Sequence, residues 1–210
     1  MKKPSLDIRA VLQNAQFYRL LRRIVGSQRV NFAFVEKYVR PKNGDKILDI
    51  GCGPGDILEC LPDNINYYGF DMSQKYINAA RRRFGNRGSF VCKRLSPEAV
   101  GQLATYDIVI ASGIMHHLND DEAIQLLELA RAALKPSGRL ITRDGCYADG
   151  QHKIARYILS KDRGRYVRTM ADYKNLASRM FPSVRADLHH DLSRLPYTHI
   201  FMECIQRGKS

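Results

Sequence analysis

The stretch "ILDIGCGPGD", residues 47–56, places the strongest single constraint on this chain. An apolar run ends at Ile50, glycines follow at 51, 53 and 55, and the apolar positions of "DILECL" come next. A strand that turns through glycines into a helix lets its backbone approach a ligand closely, because no Cβ stands in the way. Open α/β sheets hold ligands beyond the carboxyl ends of their strands. The flanking sequence keeps the same rhythm. "INYYGFD", "SFVCK", "YDIVIA" and "RLITRD" read as strands, and "SQKYINAARRRF" and "DDEAIQLLELARAAL" as amphipathic helices. Such alternation predicts a parallel sheet covered on both faces. "VRADLHH" and "HIFMECIQ" lie too close together for a crossover, so they are expected to pair antiparallel. The expectation is a doubly wound α/β fold with a mostly parallel seven-stranded sheet, an antiparallel last strand and helices on both faces. Helix-spaced Val11, Phe17, Leu20, Leu21 and Ile24 add an N-terminal helical extension, which Gly26 divides from a second helix.

The loop's chemistry narrows the ligand. A phosphate-binding loop ends in Gly-Lys-Ser/Thr, whereas this one ends in Gly55-Asp56-Ile57. A dinucleotide fingerprint wants a small residue where Asp56 stands, and an acid at a helix N-terminus repels a pyrophosphate. Asp49 adds a second negative charge. These residues suit a cation without phosphates, such as S-adenosyl-L-methionine, which carries a sulfonium, an ammonium, a ribose and one carboxylate. Asp71 closes the second strand, 22 residues after Asp49. A carboxylate there can accept both ribose hydroxyls; its alternative use is as a cap on the following helix.

Four motifs in this order, "ILDIGCGPGD", "YYGFDMS", "YDIVIASGIMHHLND" and "ALKPSGRLIT", resemble those of the class I S-adenosylmethionine-dependent methyltransferases. The resemblance covers roughly residues 40 to 145 and implies a Rossmann-like fold and methyl transfer to a substrate it does not specify. It implies that Gly51, Gly53 and Gly55 run beneath the methionine portion of the cofactor and that Asp49 orients its ammonium. Asp71, with Met72 beside it, binds the ribose. Ser112, Gly113 and Met115 line the methionine and sulfonium region. The acid that often receives the adenine amino group after strand three is missing from "VCKRLS", so backbone around Arg94 and Leu95 takes its place. The chain is then one methyltransferase domain over residues 1–210. Its parts are an N-terminal extension (1–40), a cofactor-binding core (41–145), a helical lid (146–183) and a C-terminal strand pair (184–210).

Methyl transfer from an activated cation needs no metal and no covalent intermediate; position and exclusion of water supply much of the catalysis. A hydroxyl or amine acceptor must also lose a proton. The candidate bases are His116, His117 and Asp144, all on the ligand edge of the sheet. Adjacent loop residues usually diverge, so one histidine is expected to face the cleft, and core hydrogen bonding is the other use of either. If the last strand is antiparallel, Tyr197 and His199 of "LPYTH" border the site. "SKDRGRYVRT" predicts a lid whose Arg163, Arg165 or Arg168 grips an anionic acceptor, since the planar fork of arginine suits carboxylate or phosphate. His189, His190 and Asp191 alternate in direction along an extended stretch and read as surface residues, not metal ligands.

Composition bears on the partner. Lys and Arg total 34 against 21 acids, a net charge of +13. That surplus suits an anionic metabolite or RNA, or serves as a solvated basic surface. RNA methylation is the alternative reading, motivated by this charge and by "RRRF" at 81–84; a cofactor-binding protein without turnover is a third. The five scattered cysteines suggest neither disulfides nor a zinc site. No run of about 18 apolar residues is present, so a cytoplasmic setting is expected.

Overall fold

The computed structural model describes residues 27–102, 105–161 and 165–206. The helix expected over 11–24, its break at Gly26, and Arg163 lie outside the described residues. Strands β1 (Lys46–Ile50), β2 (Asn66–Asp71), β3 (Gly88–Cys92), β4 (Tyr106–Ser112), β5 (Leu134–Tyr147), β7 (Ser183–His189) and β8 (His199–Ile205) form one sheet in the order β3-β2-β1-β4-β5-β8-β7. The first five run parallel, and β8 is antiparallel to both β5 and β7. The expected seven strands gain an eighth: β6 (Arg168–Thr169) pairs with Cys146 and Tyr147 at the far end of β5.

Side chains that alternate along each strand bury both faces. Leu48, Val109 and Leu140 belong to one core with α4 (Asp120–Ala133) and α6 (Met170–Ser178); Ile47, Ile108 and Ile141 belong to the other with α1 (Ser27–Phe34) and α2 (Gln74–Phe84). Each such fully buried aliphatic stabilises the fold by about 1.5–3 kcal/mol. The helices begin where the sequence supplies caps. Ser73 Oγ accepts from the Tyr76 amide at the start of α2, and Asn119 and Glu122 form a reciprocal capping box on α4.

Three local expectations change. "DILECL" forms a 3₁₀ turn, Asp56–Cys60, because Leu61 precedes a proline and is held extended at φ −88°, ψ 147°. A short helix, α3 (Pro97–Gln102), fills the crossover between β3 and β4. Strand β5 starts at Leu134 rather than after "KPSG", since Leu134 already pairs with Tyr106 before a register shift. Helix α5 (Lys153–Lys161) buries Ala155 and Leu159 and runs beside the end of β5. The chain leaves β1 toward β2 on one side and enters β4 on the other, so the loops after these strands part and open a crevice at their carboxyl ends.

Candidate active site

A cavity of about 970 Å³ occupies this crevice. The loops after β1 and β4 and the end of β5 form its base, while α5 and the β7–β8 turn contribute Tyr157, Lys161, Leu195 and Tyr197. Its size is at the upper end for a ligand pocket, roughly 300–1,000 Å³, which leaves room for two small molecules side by side.

The glycine loop adopts the form its sequence implies. Gly51 has φ 70° and Gly53 φ 55°. An ideal Cβ on Gly51 would stand 2.2 Å from Ile114 Cδ1, so a side chain there must displace Ile114 as well as bear the positive φ. Gly53 faces open space, and its amide donates to Asp71 Oδ2 at 3.0 Å. Asp71 Oδ1 accepts from the Ser73 amide at 2.7 Å. One carboxylate thus pins the glycine loop and opens α2, with lone pairs left over toward the cavity. The cap of α2 is Ser73 rather than Asp71, which instead accepts the Ser73 amide just ahead of the helix. Asp49 lies deeper and accepts from Tyr67 Oη at 2.6 Å. Burial pushes its carboxyl up to about 7, against the opposing pull of the Tyr67 hydrogen bond and the Arg143 charge. Asp56 lines the cavity too, but Arg83 Nη1 sits 2.6 Å from its Oδ1. The repulsion expected from Asp56 is therefore offset.

Across the cavity, His116 sits in a 3₁₀ turn, Met115–His117, just beyond β4. Its Nδ1 lies 2.7 Å from Asp144 Oδ1, and its amide donates to the same oxygen at 3.2 Å. His116 is 7% exposed and Asp144 2%. A carboxylate at Nδ1 fixes the proton there and makes Nε2 the acceptor nitrogen. Among the described residues Asp144 Oδ2 is buried without a hydrogen-bond partner. Asp144 lies within β5, and its Oδ1 meets both the amide and the ring of His116. Both histidines line the cavity, their rings 4.1 Å apart, so the expected divergence of neighbours does not hold. The tight turn keeps both rings on one side.

Ser112, Gly113, Tyr197 and His199 line the cavity as expected. Met115 does not: it is fully buried in the core under α4. Leu95 is likewise a core residue, Arg94 is exposed, and Met72, 72% exposed, points away; none of the three belongs to the cavity wall. Gly55 packs beneath Phe84 instead of facing the ligand space. In the predicted arginine lid, Arg165 is exposed away from the wall. Arg168 is 8% exposed, and its guanidinium donates to Asp120 and to the carbonyls of Met115, Leu118 and Tyr166, which leaves it nothing for an acceptor. His189 is half-buried and meets the Tyr38 hydroxyl at 3.0 Å, a packing role rather than a surface one.

Sequence reading passed over several wall residues. Arg143, buried at the end of β5, donates to Asn31 Oδ1 at 2.7 Å and lies over the Phe34 ring. Its position next to Asp144 on the ligand edge was the available signal. Tyr157 and Lys161, one helical turn apart, come from α5, and Leu195 precedes the "PYTH" already singled out. Cys52 also lines the cavity, but burial and the nearby Asp49 and Asp71 charges push its thiol far up, so it is no nucleophile.

Residues 48–140 match the model of a methyltransferase domain family. The ubiquinone biosynthesis O-methyltransferase of Idiomarina loihiensis is 28% identical over 115 residues, which are 53% of this chain and 46% of that protein. Phosphoethanolamine N-methyltransferase 1 of Triticum aestivum is 29% identical over 137 residues, 62% of this chain and 26% of that one. The chain thus spans about half the length, or less, of these curated relatives. Magnesium protoporphyrin IX methyltransferase from Synechocystis PCC 6803, solved with bound SAM, aligns with a TM-score of 0.67 at 21% identity, over 98% of this chain and 100% of that chain. This likeness concerns the fold.

Proposed function

We propose, for a chain that belongs to the class I S-adenosylmethionine-dependent methyltransferases, direct methyl transfer to a hydroxyl of a small anionic acceptor. The observation that carries this reading is the buried His116–Asp144 pair facing the glycine loop across one cavity. When bound, S-adenosylmethionine supplies an electrophilic methyl on a sulfonium. The residues present fit that group. Gly51 and Gly53 offer backbone without side chains, Asp71 has spare lone pairs for ribose hydroxyls, Asp49 suits the ammonium and Arg143 the carboxylate. Ser112 and Gly113 line the space between. His116 Nε2 takes the acceptor's proton, and Asp144 Oδ1 holds Nδ1–H and balances the imidazolium charge. Tyr157, Ile158 and Leu195 cover the acceptor side and exclude water.

The predicted arginine grip passes to Lys161, which lines the cavity mouth beside Tyr157 at 5.7 Å from its ring. Lys161→Ala is expected to raise the acceptor KM about tenfold, with affinity for S-adenosylhomocysteine unchanged. Arg165→Ala leaves both constants alone. An unaltered KM in Lys161→Ala would remove this lysine from the acceptor site.

The RNA reading weakens on inspection of "RRRF". Arg81 donates to the Phe90 carbonyl, and Arg83 pairs with Asp56 and Glu59, so two of its three arginines serve the fold. Transfer of a tritiated methyl group separates the possibilities. Phosphorylated sugars and phenolic acids should take up label that alkaline treatment does not remove. Label confined to amines or to total RNA would replace the hydroxyl reading.

Asp49 makes cofactor affinity depend on pH. Its folded value of about 7 lies above the ordinary 3.8, so the empty folded protein holds this proton more tightly than the unfolded chain does. The associated stability is complete below the ordinary value and is lost as pH rises through about 7. A cationic ligand needs the ionised form. Affinity for S-adenosylmethionine is therefore expected to rise from about pH 6 and to level off above about pH 8, with proton release on binding near pH 6. Calorimetry in two buffers of different ionisation enthalpy measures that release. Asp49→Asn should abolish it; release that persists in this variant would assign the proton to another group.

A further inference from the structure

Arg168 fastens the part of the chain that carries His116. Its Nη1 donates to the Met115 carbonyl at 2.9 Å and its Nη2 to the Leu118 carbonyl at 2.7 Å, the first residue of the histidine turn and the residue just after it. Nε and Nη2 both reach Asp120 Oδ1, at 3.0 and 2.7 Å, where α4 begins. The Tyr166 amide donates to the His116 carbonyl itself at 3.0 Å. The same short strand is tied to the other member of the pair. Arg168 pairs with Cys146, two residues beyond Asp144, and the adjoining helix sends Tyr173 Oη to the Gly145 carbonyl at 3.0 Å. The Arg168 guanidinium lies 5.8 Å from the centre of the Tyr173 ring.

We infer that Arg168 is a positioning residue that holds the His116 turn in register with Asp144, so that the segment after the lid helix sets the geometry of the base. The inference rests on the reading of this pair given above. A planar fork is needed because the Met115 and Leu118 carbonyls flank the turn on either side of His116. A lysine ammonium is a single point with the same charge, and it does not span them. The charge is not the function, since Asp120 already offsets it. What the fork contributes is the placement of one imidazole against one carboxylate, where a displacement of about 1 Å costs on the order of 100-fold in rate.

Arg168→Lys in the full chain separates position from charge. Calorimetry with S-adenosylhomocysteine should give an affinity within about twofold of the native value, because Arg168 bonds to none of the residues proposed to hold the cofactor. Nitrogen NMR of labelled histidine, with the His116 signal assigned by its loss in His116→Gln, should show the native Nδ1–H form giving way to a mixture of tautomers. Turnover should fall by about 10- to 100-fold with the cofactor KM unchanged. Asp120→Asn removes an anchor whose side chain is 71% exposed. It should shift the same signals in the same direction by less, and it carries the test if Arg168→Lys does not fold. A native His116 tautomer in either folded variant overturns the inference. So does a parallel loss of cofactor affinity and tautomer, which marks a general fold residue. The NMR arm needs no acceptor, so it judges Arg168 even if His116→Gln retains turnover and the base reading fails.

Discussion

His116→Gln should lower turnover by about 100- to 10,000-fold while S-adenosylhomocysteine binds as before. The expectation follows from what each nitrogen does. Nδ1 is engaged by Asp144 Oδ1 at 2.7 Å in a nearly water-free setting, which makes Nε2 the basic nitrogen of the ring. Glutamine keeps a polar group of similar reach but has no basic site. Asp144→Asn should act almost as strongly for a different reason. Its amide nitrogen can face Nδ1 and impose the wrong tautomer, which puts a proton where the base must be empty. The two losses are not additive, because the residues act as one unit. The double variant should therefore be little worse than His116→Gln alone. The decisive measurement is single-turnover rate with bound cofactor. If His116→Gln stays within about threefold of native, position alone carries the transfer and the acceptor needs no base.

Asp71→Ala should weaken S-adenosylhomocysteine binding by about 10- to 150-fold, the equivalent of roughly 1.5–3 kcal/mol for hydrogen bonds to a charged group. The carboxylate has two duties. It is aimed at the cavity, and it accepts the Gly53 and Ser73 amides at 3.0 and 2.7 Å. On the ribose reading, alanine removes a ligand contact, and it also releases the Gly53 amide that ties the glycine loop. The empty variant should be less stable by about 1–2 kcal/mol, as two amides lose their acceptor, which a thermal melt reports directly. Asp71→Asn keeps an oxygen for one amide and should fall between the two in both measurements. Native affinity in Asp71→Ala would remove this residue from the ribose site.

The glycine loop, Asp71 and the strand–helix alternation were legible because each is a local property. A positive φ at Gly51, an acid closing β2 and a cap at Ser73 are decided within a few residues of sequence. The antiparallel pairing of β7 with β8 was legible too, since chain length alone forbids a crossover. The errors have a common source. Met115 and Leu95 stand in the right loops but point into the core, and adjacency in sequence does not say which side of a turn a side chain takes. Arg168 sits in a basic run that reads as solvent-facing, yet carbonyls from a loop some 50 residues earlier are waiting for it. Arg143 was missed because it belongs to no motif, and Lys161 because the arginines that follow it in "SKDRGRYVRT" were the better match to an anion.

Sequence by itself determined the class of fold, the edge of the sheet where the cavity opens and the residue types of the glycine loop, because backbone conformation and apolar periodicity are encoded over short spans. Only the tertiary structure decided that His116 meets Asp144, that Arg83 offsets Asp56 and that Arg168 holds a turn rather than a substrate. Each of those outcomes depends on two groups remote in the chain arriving within hydrogen-bonding distance, and direction and burial at that scale are fixed by packing across the whole sheet.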